Sequence, residues 1–379
     1  MANKNLTAAK AAKNDEFYTQ LDDINKELRH YQKHFKGKTV FCNCDDPRVS
    51  NFFKYFALNF EYLGLRRLIT TCYKNQNIDL FSKREAEKAV YLVYGGDKNG
   101  NHLPDPEEIG VLPLKGDGDF RSQECIELLK ESDIVVTNPP FSLFREYMEQ
   151  LVKYNKQFLI IGNKNAITYK EIFPLIKDNK MWMGTTPMGA DMLFNVPTDE
   201  AQRLVSTGRE GVKYRIVNGI VLCRAAACWF TNLDHKRRHE PLILMTMEEN
   251  KRLSKHKEVR GHDYAHYDNY NAIEVPYVDA IPSDYDGVMG VPISFLDKYC
   301  PEQFEIVGIT KTWFGGATKT YPEQIQVSKN GERAVVTKLN DGASIELSQA
   351  PMGATYYIVN NKLYSQMYAR LLIRHRRKQ

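Results

Sequence analysis

The tetrapeptide Asn138-Pro139-Pro140-Phe141 carries the groups needed to activate an aromatic amine, and it follows directly on the β-branched run 133–137. In an open parallel sheet, ligands sit beyond the carboxyl ends of the strands, so this is where chemistry is expected. Two consecutive prolines fix φ and remove two amide donors, leaving the carbonyls of a rigid turn able to face a ligand. The exocyclic amine of adenine is a poor nucleophile, because its lone pair is delocalised into the ring. The side-chain carbonyl of Asn138 and the backbone carbonyl of Pro139 would each accept one amine hydrogen. Together they favour a pyramidal nitrogen whose lone pair points at an electrophile. Polar groups fixed in advance around developing charge are a large catalytic term. Phe141 offers a flat apolar face on which a purine can stack. Asn-Pro is also a common turn-forming pair; the strand before it and the aromatic after it favour a site.

A second pattern, Gly116-Asp117-Gly118-Asp119-Phe120, follows the strand-like run 111–114. It lies one predicted helix (122–132) and one predicted strand ahead of Asn138, as consecutive loops at one edge of a sheet would. Its glycines permit positive φ or close backbone approach. A carboxylate beside an aromatic ring suits an adenine, with Asp119 accepting from its amine and Phe120 packing on it; Asp-Gly is equally an ordinary turn. A third pattern, Asn14-Asp15-Glu16-Phe17-Tyr18-Thr19-Gln20, opens a helical stretch. Asn14 or Asp15 would cap that helix, or Phe17 and Tyr18 would touch a ligand at its entry.

The elements that must position these residues alternate. Residues 16–34 read as a helix with Phe17, Leu21, Ile24 and Leu28 on one side. Strand-length apolar runs follow at 39–42 and 67–71, and 89–94 with 111–114 suggest a hairpin or a strand extension. Runs 133–137 and 157–161 complete the set, with helical stretches at 122–132 and 144–154. Strands alternating with helices imply a parallel sheet covered on both faces. Past about residue 185 the pattern changes. Residues 217–230 and 241–247 read as paired strands joined by the basic turn 234–239, and short strands recur at 334–337 and 354–359. This predicts a catalytic domain over 1–245 and a smaller mixed domain over 246–379.

Composition bounds the function classes. The chain has 379 residues, 42% hydrophobic and 26% charged, which is ordinary for a globular protein of one large domain or two. No apolar run reaches the 18 residues of a spanning helix, and residues 1–13 lack the apolar segment of a secretory signal, so the expectation is a cytoplasmic protein. Seven scattered cysteines, with no second Cys or His pair following Cys42 and Cys44 at zinc spacing, read as buried thiols and predict no metal. The net charge of +5 is concentrated at 236–238, 251–260 and 370–378, which suits a polyanionic partner. Such runs are also ordinary solvated faces.

In combination, Asn-Asp-Glu-Phe-Tyr-Thr-Gln (14–20), Gly-Asp-Gly-Asp-Phe-Arg-Ser (116–122) and Asn-Pro-Pro-Phe-Ser-Leu-Phe (138–144) resemble the EcoRI-type family of adenine-specific DNA methyltransferases. The likeness extends to 42–47, 228–232, 292–299 and 368–374. It implies a Rossmann-like class I methyltransferase sheet followed by a C-terminal mixed α+β target-recognition domain. It also implies S-adenosyl-L-methionine as cofactor and methylation of the N6 amine of an adenine flipped out of double-stranded DNA. By the same resemblance, Phe17, Tyr18 and Thr19 border the methionine end of the cofactor, and Asp119 and Phe120 hold its adenine. Asn138, Pro139, Pro140 and Phe141 hold the target base. The glycine-rich first loop typical of such enzymes is replaced here by 41–47, with Asn43 and Asp45 as cofactor residues. Trp229 or Phe230 would close the base pocket, each being equally suited to a core. Lys236, Arg237 and Arg238 would contact phosphates. A monomer would suffice, and a restriction endonuclease could accompany the enzyme. The alternatives are a methyltransferase of a protein glutamine or an RNA base, and a DNA-binding module that has lost catalysis. The basic C-terminal extension of about 130 residues favours DNA.

Overall fold

The structure is a computed structural model and describes residues 18–43, 50–71, 89–101, 104, 107–116 and 118–376. Its chain forms two compact units, Met1–Ala166 with Met181–His235, and Ile167–Lys180 with Lys236–Gln379. The division thus falls after His235, where the sequence suggested 245, and the second unit borrows a short segment from within the first.

The first unit begins with β1 (Tyr18–Thr19), α1 (Leu21–Leu28), β2 (Thr39–Cys42), α2 (Asn51–Leu58) and β3 (Arg67–Thr71). It continues through β4 (Val90–Tyr94), β5 (Ile109–Pro113), α3 (Gln123–Glu131), β6 (Ile134–Thr137), α4 (Phe144–Lys153) and β7 (Gln157–Asn163). β8 (Trp182–Met183), β9 (Met192–Asn195), α5 (Thr198–Ser206), β10 (Tyr214–Val217), β11 (Ile220–Ala225) and β12 (Ala227–Thr231) complete it. Eight strands make one sheet in the order β5-β4-β3-β2-β6-β7-β12-β8. Only its middle four, β3, β2, β6 and β7, run parallel. Both flanks are antiparallel, so the sheet is mixed where a parallel one was expected. The pairing of β4 with β5 is the hairpin that the sequence suggested.

Alternation along the strands buries both faces of this sheet. On one face, Val40, Ile134, Val136, Leu159, Ile161 and Trp229 pack with Ile24 and Leu28 of α1 and with Phe52, Phe53 and Phe56 of α2. Full burial of such side chains stabilises by about 1.5–3 kcal/mol each before entropy is counted. On the other face, Phe144 of α4 lies 5.0 Å from Phe230, ring centre to ring centre. Gly162 of β7 makes that approach possible, since a Cβ there would run into the Phe144 ring. Ser122 caps α3 through the Cys125 amide at 3.2 Å.

Two expectations are corrected here. The helix expected over 16–34 is α1 alone within the described residues, followed by a turn at Arg29-His30 and a separate short helix, Gln32–Phe35. The turn leaves Tyr31 beside Glu27, whose fully buried carboxylate gathers four donors. These are Tyr31 Oη at 2.9 Å, the amides of Thr185 and Thr186 at 2.6 and 2.7 Å, and Thr186 Oγ1 at 2.5 Å. Burial, and then the neighbouring Glu27, push the Tyr31 phenol far up, so it stays a donor. The second correction concerns 217–230, which is not one strand but the end of β10, all of β11 and most of β12. Asn218 and Gly219 have φ of 50° and 78°, the two-residue turn for which Asn-Gly is the strongest short signal, and they fold β10 back on β11. β11 joins a small antiparallel sheet of order β1-β9-β11-β10, whereas β12 enters the large sheet. Residues 241–246 form no strand.

The second unit holds a short helix, Phe173–Lys177, in its first segment and α6 (Met247–Leu253) in its second, where Thr246 and Glu249 make a reciprocal capping box. One sheet holds β13 (Ile273–Glu274), β14 (Met289–Pro292), β15 (Phe304–Ile309) and β21 (Arg370–His375) in the order β13-β14-β21-β15. The other holds β16 (Gln324–Val327), β17 (Arg333–Val336), β18 (Ser344–Leu347), β19 (Tyr356–Val359) and β20 (Lys362–Gln366) in the order β17-β16-β19-β20-β18. The short strands expected at 334–337 and 354–359 are β17 and β19. Among the described residues no helix is long and apolar enough to cross a membrane.

Candidate active site

The parallel strands reverse their order between β2 and β6: from β2 the chain steps outward to β3, then returns to β6 on the other side. Such a switch point opens a crevice beyond the strands' carboxyl ends. Asn43 follows β2 there and Asn138 follows β6. The two loops are tied together, because Thr137 Oγ1 donates to the Asn43 carbonyl. Asn43 is itself buried, and its Oδ1 accepts from the Tyr147 phenol of α4. What its side chain offers a ligand is therefore its amide Nδ2.

Within the Asn-Pro-Pro-Phe turn, Asn138 is half-buried and Pro139 buried. The Pro140 carbonyl accepts from the Leu143 amide at 2.9 Å, closing a 3-10 turn over Phe141–Leu143 that leads into α4. That carbonyl is thus committed to the backbone, unlike the acceptor proposed on Pro139. Asn138 Nδ2 lies 3.4 Å from Thr19 Oγ1, and the Thr19 carbonyl accepts from Asn51 Nδ2 at 2.7 Å. Tyr18 and Thr19 are held in β1 by pairing with Asn195 and Phe194 of β9. The structure so brings the start of the described chain to the Asn-Pro-Pro-Phe turn, across a sequence separation of 119 residues. Phe141 is half-buried and packs against the main core of the unit.

Asp119 is clamped by Arg121, which reaches Oδ1 through Nε at 2.9 Å and Oδ2 through Nη2 at 2.6 Å. Those bonds hold the Asp119 carboxyl below the usual carboxylate range, against the opposing effect of burial. It is an ionised acceptor already carrying a cation. Phe120 is buried edge-on to Tyr147, 5.1 Å between ring centres. Phe17 and Asp45 lie outside the described residues.

The remaining sequence candidates divide. Trp229 and Phe230 are both fully buried. Trp229 meets Phe52 at 6.1 Å and Phe230 meets Phe144, so both pack in the core of the unit. Lys236, Arg237 and Arg238 form a 3-10 turn, Lys236–His239, in the second unit. Lys236 is exposed and Arg237 half-buried, but Arg238 is buried and donates to Asn179. Arg238 is therefore a packing residue within its unit. Sequence reading missed Arg121, Tyr147 and Asn51. Tyr147 sits with Phe144, Met148 and Leu151 on the buried side of α4, a periodicity that signals core and hides the phenol's polar bond.

An Asn-Pro-Pro-Phe turn after β6 and a carboxylate–aromatic loop before α3, both at the carboxyl edge of the sheet, are the elements expected of an amino-methylating class of enzyme. The chain belongs to the family described as adenine-specific methyltransferase EcoRI, whose model matches residues 5–376. It is 51% identical over 313 residues to the Type II methyltransferase M.EcoRI of Escherichia coli, covering 82% of this chain and 90% of that protein. Two further relatives are Type II methyltransferases of Mycoplasma. M.MgeORF184P of Mycoplasma genitalium is 39% identical over 79% of this chain and 84% of its own length. M.MpnI of Mycoplasma pneumoniae is 38% identical over 79% and 83%. No solved structure matches the chain significantly. This protein is accordingly an adenine-specific methyltransferase.

Proposed function

We propose that this enzyme methylates the N6 amine of an adenine flipped out of duplex DNA, using S-adenosylmethionine. The observation that carries the reading is the pairing of Asn43 and Asn138 at the β2–β6 switch point, joined by the Thr137 bond. The residues present fit the cofactor: an amide donor at Asn43, an ionised acceptor at Asp119 and an aromatic ring at Phe120 converge on α4. When bound, the cofactor supplies an electrophilic methyl group on a sulfonium. Asn138 and the Pro139 carbonyl accept the two amine hydrogens of the target adenine and free the nitrogen lone pair, while Tyr18 and Thr19 border the site. The first unit then acts as a Rossmann-like class I catalytic domain in the cytoplasm. The second acts as the target-recognition region, with Lys236 and Arg237 on phosphates. A monomer suffices, and a cognate restriction endonuclease is a natural companion.

Two experiments test the residue roles. Asp119→Ala weakens S-adenosylmethionine binding by about 1–3 kcal/mol, the range for removing a buried hydrogen-bond partner; calorimetry without DNA reads this. Unchanged affinity would put the cofactor's adenine elsewhere. Phe141→Ala removes the ring proposed to hold the extruded base, and stacking is worth about 1–3 kcal/mol per base. The variant loses flipping and turnover together and keeps cofactor affinity, and a mispaired target, cheaper to extrude, partly restores it. Flipping is read from a fluorescent purine at the target position. Normal flipping without rescue by the mispaired duplex would remove Phe141 from this role.

A further inference from the structure

Helix α4 starts immediately after the catalytic turn, and three of its residues reach the loops that carry the cofactor candidates. The phenol of Tyr147 donates to Asn43 Oδ1, and its ring lies edge-on to Phe120 at 5.1 Å. Gln150 Nε2 donates to the Phe120 carbonyl at 2.9 Å. Glu146 Oε2 accepts from Arg121 Nη1 at 2.7 Å, and the other arms of that guanidinium hold Asp119. Tyr147 and Gln150 lie three apart on the helix and so share one face. One rigid element therefore grips the Asn43 loop and the 119–121 loop, and at its own N-terminus it continues from Asn138 to Phe141.

We propose that Tyr147 and Gln150 are positioning residues for the cofactor, with α4 acting as a bracket that sets Asn43 and Phe120 relative to the catalytic turn. This rests on the reading that Asn43, Asp119 and Phe120 hold S-adenosylmethionine. The simpler view makes Tyr147 a core residue whose hydroxyl merely finds a partner. The two differ in what loss of the hydroxyl does. Tyr147→Phe keeps the ring, the packing and the edge contact, but it releases the Asn43 carboxamide from its fixed orientation.

The test uses the full-length enzyme, with S-adenosylmethionine binding measured without DNA and steady-state turnover on duplex DNA. In Tyr147→Phe, both Kd and KM for the cofactor rise about three- to tenfold, the scale of one lost hydrogen bond. The kcat at saturating cofactor stays within about twofold. Because the phenol acts through Asn43, the penalty nearly vanishes in an Asn43→Ala background, the coupling that a double-mutant cycle detects. Gln150→Met, which keeps length and removes the donor, gives the same split between KM and kcat. Unchanged cofactor affinity in Tyr147→Phe overturns the proposal, as does a full and independent penalty on top of Asn43→Ala. If Asn43→Ala and Asp119→Ala both leave affinity unchanged, the pocket assignment itself fails and the bracket with it. If those two weaken binding while Tyr147→Phe does not, only the bracket fails.

Discussion

Replacing Asn138 with alanine lowers turnover by about two to three orders of magnitude and leaves cofactor affinity nearly unchanged. The magnitude follows from deleting one preorganised hydrogen-bonding group around developing charge, about 2.7–4 kcal/mol. The reason for the separation is geometric. Asn138 lies at the end of β6, whereas Asn43 follows β2 and the Asp119 and Phe120 proposed to hold the cofactor's adenine precede α3. The Asn138 amide nitrogen lies 3.4 Å from the Thr19 hydroxyl, a long contact for a hydrogen bond, and the role proposed for its carbonyl oxygen is to receive an amine hydrogen in the transition state. The loss therefore falls on kcat with substrate binding largely retained, the pattern of an interaction made in the transition state. Near-normal turnover would remove Asn138 from the mechanism, whatever the resemblance implies.

The second large effect is on stability. Glu27→Leu destabilises the first unit by about 3–5 kcal/mol, because it strands several buried donors at once, each costing about 1–3 kcal/mol when left without a partner. The Thr185 and Thr186 amides, the Thr186 hydroxyl and the Tyr31 phenol all converge on that carboxylate. The bond to Thr186 spans 159 residues, so Glu27 fixes α1 to the segment that follows β8. Glu27→Gln keeps one acceptor oxygen and loses less. Urea unfolding of the two variants measures the difference. A loss below about 1 kcal/mol for Glu27→Leu would mean that water reaches these donors and satisfies them.

The middle of the sheet was legible in the sequence because β2, β3, β6 and β7 are buried on both faces and read as unbroken apolar runs. The loops bearing Phe120 and Asn138 could be assigned to one edge from spacing, and the Asn43 loop only through the family resemblance. What could not be read depends on partners far along the chain. Trp229 and Phe230 near a strand end look alike whether they line a pocket or a core; pairing of β12 between β7 and β8 decides for the core. Arg238 carries a charge, yet its contact with Asn179 buries it. The Asn218-Gly219 turn was a local signal that could have been read and sets the start of β11, whereas the break at Ala226 between β11 and β12 falls inside one mostly apolar run and carries no such signal. The role of Tyr147 is hidden for the opposite reason, since its spacing on α4 is that of any core aromatic.

The central claim is methyl transfer to adenine in duplex DNA, and one measurement addresses it most directly. The purified enzyme is incubated with S-adenosylmethionine labelled in its methyl group and with duplex DNA, RNA and protein offered separately. The DNA is then digested to nucleosides and the labelled product identified by mass. Label is expected in duplex DNA as N6-methyladenine, its rate of incorporation cut by about two to three orders of magnitude in Asn138→Ala. Label on RNA, on protein or on cytosine, or undiminished transfer by Asn138→Ala, would contradict it.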